Sequence, residues 1–174
     1  MGALTDEMQR MVREQRLGFV ATVCADGTPN LSPKGTTTVW DEDHLIFADI
    51  CSPGTVANLA HNPSVEVNVV DPISRRGYRF KGRAEILDRG PLFDRAMTFY
   101  RDTYGLSAAL ARRVARVVLI EVLHAAPLVS PVYDTGVSED EVVRRYAQYY
   151  DEVRRRRTPS PSGTGGGATA GGGT

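Results

Sequence analysis

The feature that most limits what this chain can fold into is the run 78–86, which alternates strictly. Tyr78, Phe80, Gly82, Ala84 and Ile86 fall on one side, and Arg79, Lys81, Arg83 and Glu85 on the other. A period of two puts successive side chains on opposite faces of a strand, so one face suits a core and the other suits water. Antiparallel sheets commonly leave one face solvated in this way, whereas parallel sheets are covered on both. Residues 65–70 repeat the pattern, with Val65, Val67 and Val69 set against Glu66 and Asn68. The chain therefore calls for an antiparallel sheet with one buried face.

The remaining elements can be placed around these two strands. Residues 5–15 read as a short helix with Met8, Met11 and Val12 on one face. Residues 17–24 form a strand, with Leu17, Phe19, Ala21 and Val23 on one side. Asp26-Gly27 turns it into a hairpin, and residues 29–40 return as a single longer strand. Asp41-Glu42-Asp43 makes a polar turn before a strand at 45–48. A helix then runs from Pro53 to Asn62-Pro63, where the residue before proline is pushed out of the helical region. Helical stretches follow at 91–104 and 107–113, then a last strand at 116–122. After a proline-punctuated loop at 126–136, Ser138 and Glu141 form a capping box. The helix they open carries Val142, Tyr146, Tyr149, Tyr150 and Val153 on one stripe and ends in four arginines, where the helix dipole favours positive charge. The sum is a mainly β protein, a small six-stranded antiparallel barrel with peripheral α-helices.

Of the 174 residues, 1–157 suffice for one domain with a real core and leave little room for a second. Residues 158–174 form a Gly/Ser/Thr/Pro-rich tail expected to be disordered, since it has too little apolar surface to order itself. Lys plus Arg and Asp plus Glu are both 21, so global charge gives no support for nucleic-acid or membrane-surface partners. The Arg79/Lys81/Arg83 stripe lacks interleaved aromatic residues, which disfavours RNA binding. Cys24 and Cys51 stand far apart with no C-x-x-C, so neither a disulfide framework nor a metal site is expected. The first residues carry no basic-then-apolar signal, and no apolar run reaches membrane-spanning length. A cytoplasmic protein is expected.

Two anion-binding devices stand out, separated by one strand. Ser32-Pro33-Lys34-Gly35 places a cation beside a glycine that lets a ligand approach the backbone. Lys34 is one of two lysines in the chain. Ser52-Pro53-Gly54-Thr55 reads as a helix start, with Ser52 at the N-cap and Pro53 in the first helical position. Free N–H groups at such a start can cradle a phosphate. His44, His61 and His124 are scattered, and no nucleophile–base pair or paired carboxylates emerge. The catalytic residues, if there are any, are not visible in the sequence, and a bound phosphate-bearing cofactor would supply the chemistry.

Several of these segments together resemble the pyridoxamine 5'-phosphate oxidase-like family of FMN-binding split barrels. They are residues 17–21 followed by the Asp26-Gly27 turn, Pro29-Asn30-Leu31-Ser32-Pro33-Lys34-Gly35, Leu45-Ile46-Phe47-Ala48-Asp49, Ser52-Pro53-Gly54-Thr55-Val56-Ala57-Asn58-Leu59 and Asn62-Pro63-Ser64-Val65-Glu66-Val67. The resemblance covers roughly residues 17–122. It implies a homodimer with FMN at the subunit interface and a small-molecule substrate. Carried over by position, Ser32, Lys34 and Gly35 match the second-strand segment that meets the cofactor. Phe47, Ala48 and Asp49 match the segment beside the flavin ring, and Ser52, Thr55 and Asn58 match the one that meets the ribityl phosphate. Two departures stand out. Pro53 and Gly54 occupy places where the vitamin oxidases have basic residues, and Ser130-Pro131-Val132-Tyr133-Asp134 replaces their Arg-x-His substrate motif. The resemblance thus implies an FMN-dependent oxidoreductase acting on something other than pyridoxamine phosphate. The alternatives are a deazaflavin-dependent reductase, or a non-enzymatic module holding flavin or haem.

Overall fold

The structure, a computed structural model, describes residues 2–157; the expected tail at 158–174 lies outside them. Helix α1 (Asp6–Gln15) is capped by Thr5, whose hydroxyl accepts the Met8 N–H, and it stops at Arg16 in a left-handed conformation. The strands are β1 (Gly18–Val23), β2 (Pro29–Lys34), β3 (Thr38–Val39), β4 (His44–Asp49), β5 (Ser64–Asp71), β6 (Arg76–Leu87) and β7 (Arg116–Val129). All pair antiparallel, in the order β2-β1-β5-β6-β7-β4-β3.

That order closes the sheet. Its two edge strands, β2 and β3, are joined by residues 35–37 alone, which can reach at most about 14 Å when extended. The sheet must curl until its edges nearly meet, which is the geometry of a split barrel. The count is seven strands and not the expected six, because the single strand foreseen over 29–40 breaks at this seam. The break has a local cause. Both the N–H and the hydroxyl of Thr37 donate to the Lys34 carbonyl and turn the chain. Thr36 then uses its hydroxyl in place of backbone, bonding both the N–H and the C=O of Ala48 at 3.0 Å.

The barrel interior is filled by Val20, Leu45, Phe47, Val67, Phe80 and Ile120, all fully buried. In β1 the Val20/Thr22 side faces inward, while Phe19 stays 41% exposed. Both faces of that strand are apolar, so pairing with β2 and β5 decides which one is core. The alternation over 65–70 and 78–86 holds, with Val67, Val69 and Phe80 inside. Outside the barrel, α3 (Pro91–Asp102) packs Ala96, Met97 and Tyr100 on Ile46, Ala48 and Val117. The Tyr100 hydroxyl donates to the Thr36 carbonyl and so pins the seam from below. A short turn of helix, α4 (Ala108–Ala111), leads into β7, which continues past its expected end at Val122 to Val129. The final helix, α5 (Glu139–Arg157), has its first turn capped by the Ser138 hydroxyl. It buries Val142 and leaves Tyr149 and Tyr150 exposed. Among the described residues no helix is long and apolar enough to cross a membrane.

Candidate functional site

The barrel seam is where β2 delivers Lys34, and β4 leads directly into α2 (Pro53–His61). Lys34 points back across its own strand: only 5% of the residue is exposed, and its Nζ donates to Ser32 Oγ at 2.5 Å. The Phe47 ring lies 5.9 Å from the ammonium. Burial holds the Lys34 pKa below its ordinary value, and the Asp49 carboxylate partly opposes that. An ammonium in this position is short of partners, because a lysine has three protons to give.

The start of α2 differs from the expected cap. The Ser52 hydroxyl makes no capping bond; the residue stands at φ −137° and ψ 54°, outside the usual extended cap conformation. The Asp49 carboxylate fixes the corner instead by accepting the Ser52 N–H at 2.9 Å. Asp49 is itself buried and has Arg116 at 3.9 Å. Asp49 therefore shapes the turn from behind, which leaves the Ser52 hydroxyl and the first N–H groups of α2 without intrahelical work.

Lys34, Gly35, Ala48 and Ser52 line a cleft of about 430 Å³. The other expected residues serve it less directly. Ser32 holds the Lys34 ammonium, Phe47 belongs to the barrel core, and Thr55 is buried under its helix. Asn58 faces elsewhere: its amide donates to Thr22 Oγ1 at 3.0 Å, tying α2 to β1. The same cleft is lined by two residues that sequence reasoning missed, Arg16 and Tyr104. They lie 88 positions apart and meet through a bond from the Arg16 guanidinium to the Tyr104 carbonyl. No local motif could have joined them. Two cations and no carboxylate line this cleft, a charge balance that favours an anion there. Among the described residues no cluster of His, Cys, Asp or Glu could hold a metal.

A family model described as pyridoxamine 5'-phosphate oxidase matches residues 4–125, which takes in the whole seam. The chain belongs to the pyridoxamine 5'-phosphate oxidase family. Among solved structures, HupZ of Group A Streptococcus is 31% identical with a TM-score of 0.63, covering 73% of this chain and 95% of that one. Two more distant structures share the fold. An FMN-binding protein of Syntrophomonas wolfei is 18% identical with a TM-score of 0.55, over 70% of this chain and 84% of that one. An F420 reductase is 22% identical with a TM-score of 0.54, over 71% and 98%. An uncharacterized protein of Methanocaldococcus jannaschii is 30% identical over 89 residues, half of this chain; the match spans 58% of that relative's length.

Proposed function

We propose that this member of the pyridoxamine 5'-phosphate oxidase family is an FMN-binding oxidoreductase that works as a homodimer. The observation that carries the reading is Lys34, a buried ammonium with one hydroxyl partner, beside a helix start whose N-cap hydroxyl makes no capping bond. The donor set fits a phosphate monoester: an ammonium, the Ser52 hydroxyl and the N–H groups that open α2. The space fits as well, because a Cβ placed on Gly35 or Gly54 would meet nothing within 4 Å. When bound, the flavin would supply electron or hydride transfer. Lys34 and Ser52 would hold its phosphate, Asp49 would keep the Ser52 corner in place, and Ala48 would leave room beside the ring.

A substrate other than pyridoxamine phosphate is supported by the use made of residues 130–134. The Tyr133 hydroxyl donates to the Ser74 carbonyl, and the Arg76 guanidinium lies 4.2 Å from the Tyr133 ring. That segment braces the β5–β6 turn and presents no cation and imidazole pair. A deazaflavin coenzyme is the second reading, supported by the shared fold of the F420 reductase. Anaerobic mixing of the flavin-loaded protein with either a reduced nicotinamide or pyridoxamine phosphate tests the substrate claim. Slow bleaching of the flavin band by the nicotinamide alone is expected, and rapid bleaching by pyridoxamine phosphate would contradict it. A purified protein with one violet deazaflavin band, or a Soret band, would replace FMN with the corresponding group.

A further inference from the structure

Arg16 sits where a glycine would be easier to place. Its backbone is left-handed, with φ 51° and ψ 27°, a region that costs an ordinary residue energy and costs glycine almost none. The bond that ends the helix there, from the Arg16 N–H to the Val12 carbonyl, is a backbone bond that glycine would make equally well. The residue choice therefore has to be explained by the side chain. A cation at a helix C-terminus could serve the last carbonyls, but this guanidinium leaves them. It donates to the Tyr104 carbonyl at 2.6 Å and stacks 4.0 Å from the Tyr104 ring centroid. Tyr104 is fixed in turn, its hydroxyl donating to the Gly35 carbonyl at 2.5 Å. Tyr104 thereby ties Arg16 to the backbone of Gly35, the residue after Lys34, and Arg16 and Lys34 line the same cleft.

Charge balance gives this link a purpose. A phosphate monoester carries about −1.5 to −2 at neutral pH. Lys34 brings one positive charge, and the Asp49 carboxylate lies close enough to offset part of it. Pro53 and Gly54 add no cation after Ser52. A guanidinium that never deprotonates, held over an aromatic ring with other N–H groups still to give, supplies the missing charge.

We infer that Arg16 is a second phosphate-binding cation of this cleft, held toward it by Tyr104. The inference rests on the anion-site reading given above. The experiment uses the full chain and its Arg16→Gly variant, with FMN, riboflavin and inorganic phosphate as probes. Arg16→Gly relieves the left-handed backbone, so the variant is expected to fold, and Arg16→Gln serves as a second variant with an ordinary backbone preference. Flavin fluorescence quenching should show FMN affinity falling about ten- to hundredfold in both variants, with riboflavin affinity changing less than about twofold. Thermal stabilisation by millimolar inorganic phosphate should be present in the parent and absent from both variants. Equal loss of FMN and riboflavin, or no loss of either, would overturn the role of Arg16. A parent protein that binds no flavin but loses its phosphate stabilisation in both variants would refute the FMN reading and leave the Arg16 inference standing. Phosphate stabilisation undiminished in the variants would refute the inference whatever the flavin result.

Discussion

Burying the Lys34 ammonium takes a charge out of water, and one hydroxyl bond with a neighbouring carboxylate does not recover the loss, as its depressed pKa shows. The sign of the linkage follows. Between the lowered value and the ordinary 10.5 the folded chain holds fewer protons than the unfolded one, so this residue's contribution to stability improves as pH rises through that window. Below that window the full cost of burying the ammonium is present. Lys34→Met should therefore raise the melting temperature of the flavin-free protein at pH 7 and narrow its gain over the parent as pH climbs toward 10.5, which differential scanning calorimetry can follow. The same change should weaken FMN by about 1.5–3 kcal/mol, the usual worth of a charge-assisted bond. A residue that destabilises the empty protein and holds the ligand is the pattern expected of a binding site.

At the scale of elements, the seam depends on close contact between β1 and the turn that follows β2. A Cβ added to Gly18 would come within 2.7–2.9 Å of three side-chain atoms of Thr37, the residue whose hydroxyl makes that turn. Gly18→Ala should cost about 1–3 kcal/mol through this overlap, read as a lower denaturant midpoint, and should shift Lys34 enough to weaken FMN as well. Much of this architecture was legible in the sequence. The period-two runs over 65–70 and 78–86 gave the right inner faces, and Pro53 and Asn62-Pro63 marked both ends of α2. The break at 35–37 was not legible, since Thr36-Thr37-Thr38-Val39 is rich in β-branched residues that read as continuous strand. The local Thr37 turn is reinforced by long-range bonds that no local pattern announces: the Tyr100 hydroxyl on the Thr36 carbonyl and the Thr36 hydroxyl on Ala48. The site was half legible for the same reason. Lys34 and Ser52 lie on motifs, but Arg16 and Tyr104 meet only after folding.

At the scale of the whole molecule, the described surface keeps apolar residues that a monomer has little use for. Phe19, Leu31 and Leu123 are 41%, 65% and 60% exposed, and Tyr149 and Tyr150 form an exposed ring pair on α5. Exposed apolar side chains of this size suit an interface. Light scattering of the purified protein should give the mass of a dimer at micromolar concentration, and Leu31→Glu should shift it toward the monomer with loss of flavin. A monomeric mass with flavin fully retained would contradict the homodimer. The central claim, a cleft built around a phosphate, is tested most directly by titrating the flavin-free protein with FMN and, separately, with riboflavin while following flavin fluorescence. The account predicts one FMN per chain, held at least about tenfold more tightly than riboflavin. Equal affinity for the two flavins, or no binding of FMN, would contradict it.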